Sequence, residues 1–158
     1  MKMLLISFIA TAFGCVTAPQ KLEGDKLHEY MQIAAKVTDR KISATTPLPD
    51  VYLVNDFKTF YHMTCRDRSV LCGIGVAGAV YVPGERLIIV NASVVKAEDI
   101  DSILVHEFVH HLQNIQHDRR SCFDHEFEAY TAQARYHWMF GDQSIYDKIG
   151  SSCAMAAI

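Results

Sequence analysis

Between Gly24 and Arg40 the apolar side chains Leu27, Tyr30, Met31, Ala34 and Val37 recur at intervals of three and four residues, which places them on one face of an α-helix. Pro47 and Pro49 then break the chain, since neither can continue a helix. Val51-Tyr52-Leu53-Val54 is rich in β-formers and predicts a strand. Asp56 is placed to cap a short helix carrying Phe57, Phe60 and Tyr61. From Val76 to Val90 the pattern predicts a hairpin, with Val80-Tyr81-Val82 leading into a Pro83-Gly84 turn and Arg86 to Val90 returning. The strand Leu87 to Val90 is expected to offer an edge to an extended peptide. Glu98, Asp99 and Asp101 put negative charge into the first turn of a long helix that should run to about Gln116. After a loop with Asp118, Arg119 and Arg120, a second long helix is predicted from Asp124, its expected N-cap, to Phe140, where Gly141 stops it. Ser144 to Ile149 predicts one further turn. The order of elements implies an α+β fold with an N-terminal helix, a short antiparallel sheet with a hairpin, and two long C-terminal helices.

At 158 residues the chain fits one domain, and its composition, half hydrophobic and 21% charged, is that of a folded globular protein. A net charge of −3 gives no electrostatic reason to expect nucleic acid as a partner. The basic groups Arg66, Arg68, Arg119 and Arg120 read as solvated surface. Lys2, the apolar run Met3 to Phe13 and the small residues that follow have the order of a secretory signal peptide covering residues 1–18. The run is about half of the ~20 residues a membrane-spanning helix needs. Cleavage between residues 14 and 15 would leave Cys15 open to lipidation, the one expected route to a membrane. Cleavage between 18 and 19 would release a soluble domain of residues 19–158, secreted or periplasmic. An oxidising compartment favours disulfides among Cys65, Cys72, Cys122 and Cys153. Three pairings are possible, and Cys65–Cys72 with Cys122–Cys153 is the favoured one.

The residues that carry chemistry are His106-Glu107-Phe108-Val109-His110, an H-E-x-x-H motif. Residues four apart on a helix lie one above the other, so both imidazoles can reach one zinc ion. Glu107 then stands beside the ion and not on it, where it can act as general base towards water. Ile100, Ile103, Leu104, Phe108, Leu112 and Ile115 give the segment the apolar face that such a helix needs. A zinc site that carries water needs a third protein ligand, and the second long helix offers Glu126, with Glu128 and His125 as alternatives. Tyr130, Tyr136 and His137 are candidates for stabilising an oxyanion. His111 faces off the ligand stripe and is unassigned.

The segments Ser102 to Gln113, Cys122, and Glu126-Phe127-Glu128-Ala129-Tyr130-Thr131-Ala132-Gln133 resemble a group of small exported bacterial proteins, as does the Gly78 to Pro83 stretch. That group in turn resembles minimal gluzincins, the thermolysin-like class of zincins with H-E-x-x-H and a distant glutamate ligand. The likeness covers Val76 to Trp138. It implies a small zincin-like domain with zinc held by His106, His110 and Glu126, Glu107 as catalytic base, and Tyr130 where the thermolysin-like class has an aspartate. The expected function is an extracytoplasmic zinc metallopeptidase acting on peptides or proteins. The alternative is a non-catalytic zinc-binding or interaction protein on a peptidase-like fold.

Overall fold

The apolar run Leu87-Ile88-Ile89-Val90 lies at the centre of the sheet. In the computed structural model, which describes residues 18–64 and 78–140, it forms strand β4 (Leu87–Asn91), buried at every position. Strand β2 (Asp50–Val54) pairs with β4 in parallel, and β3 (Ala79–Val82) pairs with it antiparallel on the other side. Strand β1 (Gln20–Leu22) runs antiparallel to β2, so the sheet order is β1-β2-β4-β3.

Two expectations are corrected here. The sheet is mixed, not antiparallel, because the chain between β2 and β4 passes through a helix and a hairpin strand, long enough to bring β4 back in the same direction. The strand Leu87 to Val90 is interior, so it cannot receive a peptide, and the edge beside it is β3. Four consecutive apolar residues are the mark of a strand buried on both faces. The three-residue β1 has no alternation that would have announced it.

Each sheet face is covered. Ile88, Val90, Val51 and Tyr81 pack into the main core with α1 (Asp25–Val37), α3 (Ile100–Ile115) and α4 (Cys122–Phe140). Leu87, Ile89, Val54 and Val80 form a second cluster on the opposite face with Phe60 of α2 (Phe57–Thr64). The alternation along β4 thus feeds both cores. Helix α3 is the inner helix, packed between the sheet, α1 and α4, and Leu104, Val105, Phe108, Val109 and Leu112 have no exposed surface. Any polar side chain on such a helix must find partners or serve a purpose.

Local chemistry sets the helix boundaries. Gly24, at φ 102°, takes a left-handed turn before α1 that side chains with a Cβ rarely adopt. At the far end of α1, the Arg135 guanidinium of α4 donates to the Val37 carbonyl, satisfying one of the helix's free acceptors. Asp56 caps α2 as expected, accepting the Thr59 N–H at 2.8 Å. Helix α4 starts two residues before the predicted Asp124, and Ser121 is its N-cap. The Ser121 hydroxyl accepts the Asp124 N–H at 3.1 Å, and Asp124 Oδ2 accepts the Ser121 N–H at 3.3 Å. Asp124 is the reciprocal partner of a capping box and not the cap itself.

Cys122 is exposed and free among the described residues. Cys65, Cys72 and Cys153 lie outside them, as do the predicted turn at Ser144 to Ile149 and most of the expected leader. No described helix is long and apolar enough to cross a membrane.

Candidate metal centre

Helices α3 and α4 run side by side in opposite directions, which brings the first turns of α4 against the middle of α3. A polar stripe on α3, Ser102, His106, His110 and Gln113, follows helical spacing of four, four and three. Opposite it on α4 stand Glu126, Tyr130 and Gln133, with Gln133 Nε2 3.4 Å from Ser102 Oγ. In this partly buried seam there is one place, among the described residues, where three potential ligating groups converge.

His106 Nε2 and His110 Nε2 are 3.1 Å apart. Glu126 lies 3.6 Å from the first through Oε2 and 3.5 Å from the second through Oε1. Donors about 2.0–2.1 Å from a tetrahedral ion stand about 3.3–3.4 Å from one another. The two imidazole nitrogens, and the Glu126 oxygen nearer to each, stand close to that value, and one ligating atom from each residue lies within 4.8 Å of the others, so the group could hold one metal ion. Among the described residues these three form the group that can hold a metal ion. Of the three candidates for the third ligand, the structure brings Glu126 to the histidines and keeps the other two away. Glu128 is tied to Arg40 and Arg120, and His125 Nε2 faces Asp118 Oδ1 at 3.3 Å.

The electrostatics match the geometry. The two histidines beside Glu126 hold its carboxyl well below the ordinary glutamate value, against the opposing effect of burial. His110 is pushed up to about 9: burial alone would lower it, but its hydrogen bond to the Glu126 carboxylate and the charges of Glu107 and Glu126 outweigh that. Glu107 follows His106 on α3 and is only 6% exposed. Burial raises its pKa, the neighbouring His106 and His110 pull it down, and the Tyr81 main-chain N–H on β3 offers it a hydrogen bond. A buried carboxylate beside two imidazoles that could hold a metal ion is a candidate proton acceptor.

Tyr130 lies one turn along α4 from Glu126, and its ring stands edge-on to His106 with centroids 4.5 Å apart. His106 Nδ1 is buried and has no hydrogen-bond partner among the described residues. The contact of His106 with Tyr130 is ring packing. His110 differs, because its Nδ1 stands 2.8 Å from Gln113 Oε1. His111 is a satisfied core histidine: Nε2–H donates to the Pro47 carbonyl at 2.8 Å and Nδ1 accepts from the Tyr81 hydroxyl at 3.2 Å. Burial lowers its pKa. Of the oxyanion candidates, Tyr130 borders the ligand group, whereas Tyr136 packs against the main core near Asp101 and His137 is buried two turns further along α4.

The residues that the sequence did not single out are those behind the ligands. Gln113 Nε2 donates to Glu128 Oε2 at 2.9 Å and to the His125 carbonyl at 3.0 Å. Arg40, just past the end of α1, and Arg120, in the loop before α4, donate to that same Glu128 oxygen at 2.6 and 2.7 Å. Asp118 also accepts from both guanidinium groups, and Arg40 Nη1 donates to Gln116 Oε1 at 2.9 Å. The position of Gln113 three residues after His110 is a sequence signal, since it continues the ligand stripe. Nothing in the sequence points to Arg40. Compared with known proteins, the chain matches no family model, no curated protein and no solved structure.

Proposed function

We propose that this chain is an extracytoplasmic zinc metallopeptidase in which His106, His110 and Glu126 hold the ion and Glu107 is the general base. The observation that carries this reading is the convergence of two imidazole nitrogens and one carboxylate close enough to share one ion, with a second, buried acid beside them that no ligand role requires. A metal centre with a purely structural role usually fills all four positions with protein groups and has no use for Glu107. Export is read from residues 2–18 and is part of the proposal.

When bound, zinc supplies Lewis acidity and lowers the pKa of a water in the open position. The protein supplies the rest. Glu107 accepts a proton from the attacking water and passes it to the leaving amine, a role its buried place beside the two imidazoles supports. Tyr130, facing the ligand group from α4, is the candidate hydrogen-bond donor to the developing oxyanion. The likeness to gluzincins supports a peptide or protein substrate.

The first test is metal content. One zinc per chain is expected in the wild type and in Glu128→Ala, and none in Glu126→Ala. Glu107→Gln should keep its zinc and lose hydrolysis of a peptide library by at least about 10²-fold. A wild type that retains no zinc when purified without chelators overturns the metalloenzyme reading. Zinc without hydrolysis in any form would favour the alternative of a zinc-binding interaction protein.

A further inference from the structure

An amide side chain can present either its oxygen or its nitrogen to a neighbour, and the neighbours decide which. Gln113 is 3% exposed, so water does not take part in that choice. On one side it meets the His125 main-chain carbonyl at 3.0 Å and Glu128 Oε2 at 2.9 Å. Neither can donate. The carbonyl never does, and the Glu128 carboxylate receives charge-assisted bonds from Arg40 and Arg120 on that same oxygen. The amide nitrogen must therefore point at Glu128, and the amide oxygen must point at His110 Nδ1, 2.8 Å away. An amide oxygen only accepts, so His110 must carry its proton on Nδ1. In the neutral ring the lone pair then lies on Nε2, the atom that stands 3.1 Å from His106 Nε2 and 3.5 Å from Glu126.

We infer that Gln113 is a positioning residue that selects the metal-binding tautomer of His110, and that Arg40 and Arg120 fix its orientation through Glu128. The last residues around α1 and the loop between α3 and α4 thereby belong to the support of the metal centre. The inference rests on the reading of His106, His110 and Glu126 as a zinc site. It assigns Glu128, an alternative ligand on sequence grounds, the job of orienting the group that orients a ligand. Hydrogen-bond partners behind a ligating histidine commonly change metal affinity by 10–100-fold when lost.

The experiment titrates metal-free protein with zinc against a chromophoric chelator and follows the His110 ring by nitrogen-15 NMR in the zinc-loaded protein. Gln113→Met keeps volume and removes the acceptor. It should bind zinc about 10–100-fold more weakly and lose the slowly exchanging His110 Nδ1–H signal. The paired exchange Gln113→Glu with Glu128→Gln conserves charge and again offers an acceptor to His110 and a donor between positions 113 and 128. It should recover affinity to within a few-fold of wild type and restore the signal. This pair also serves if Gln113→Met folds poorly. A wild type that binds zinc, with Gln113→Met binding within twofold of it and an unchanged Nδ1–H signal, overturns the inference and leaves the metal site standing. Equal weakening in Gln113→Met and the paired exchange also overturns it, since volume or burial would then be the cause. A wild type that binds no zinc overturns the metal reading and this inference together.

Discussion

Three histidines within six residues of α3 have three different fates, and the partners of their ring nitrogens distinguish them. His111 has both nitrogens engaged, one by a carbonyl and one by a hydroxyl, so it is a piece of the core. His110 has one nitrogen held by Gln113 and the other turned to Glu126 and His106. His106 has a buried Nδ1 with no acceptor among the described residues, and its ring packs edge-on to that of Tyr130. Orientation by packing predicts a separation of roles for Tyr130 that orientation by hydrogen bonding would not. Tyr130→Phe preserves the ring against His106 and should keep the metal, while removing a hydroxyl that serves the oxyanion should lower kcat by about 10²-fold. Tyr130→Ala removes the ring and should lower metal affinity as well. Metal content and steady-state kinetics on one set of samples separate the two. Loss of zinc from Tyr130→Phe would show that the hydroxyl, not the ring, is what His106 depends on.

At the scale of elements, Glu126 is placed by the way α4 begins. The cap lies five residues before the ligand, so the reciprocal bonds between Ser121 and Asp124 hold the turn from which Glu126 projects. Ser121→Ala should cost about 1 kcal/mol, a fall in Tm of about 3 °C for a chain of this size, measured on the metal-free protein. No change in Tm would mean that Asp124 holds the turn alone. The same helix start shows where the sequence was legible. The helical periodicity of α1 and α3, the Asp56 cap and the Pro83-Gly84 turn are local signals, and each corresponds to an element in the structure. His106, Glu107 and His110 are equally local, being set by one helical repeat. Glu126 was the favoured third ligand, but only the packing of α4 on α3 separates it from Glu128 and His125. Strand partners were not legible, because Val51 to Val54 says nothing about direction relative to Leu87 to Val90. Between Ser121 and Asp124 the choice of cap needed the helix start itself, since both residue types suit the position. Arg40 was invisible for a plainer reason: its partners lie 76 or more positions away.

At the scale of the whole molecule, that distance is the point. The residue just beyond α1 is bound to the loop between α3 and α4 and to α4 itself, so one guanidinium ties the two ends of the main core together. Asp118 balances it. Its side chain is 12% exposed and meets Arg40 on one side and Arg120 on the other. The Arg120 hydrogen bonds, more than any other influence, hold the Asp118 carboxyl far below its ordinary value, with Arg40 adding to them against the effect of burial. In the unfolded chain the same group titrates near its free value of about 3.9. A carboxyl whose pKa is lower folded than unfolded binds protons more readily in the unfolded state, so folding is favoured more as pH rises. Its contribution is fully present above about pH 5 and is lost progressively as pH falls below about 4 towards the folded value. The Tm of the metal-free protein should therefore drop on acidification through that window. Glu126 and Glu128 are also held low and shift the wild-type curve the same way, so the informative quantity is the difference from Asp118→Asn. That difference should be largest near pH 7, where the wild type has a charged partner for two arginines and the variant does not. It should narrow steadily below pH 4 as Asp118 in the unfolded wild-type chain takes up its proton. A gap between the two proteins that stays constant from pH 7 to pH 3 would mean that Asp118 contributes by shape and neutral hydrogen bonding alone. The charge balance across α1, the loop and α4 would then not be what fastens these elements together.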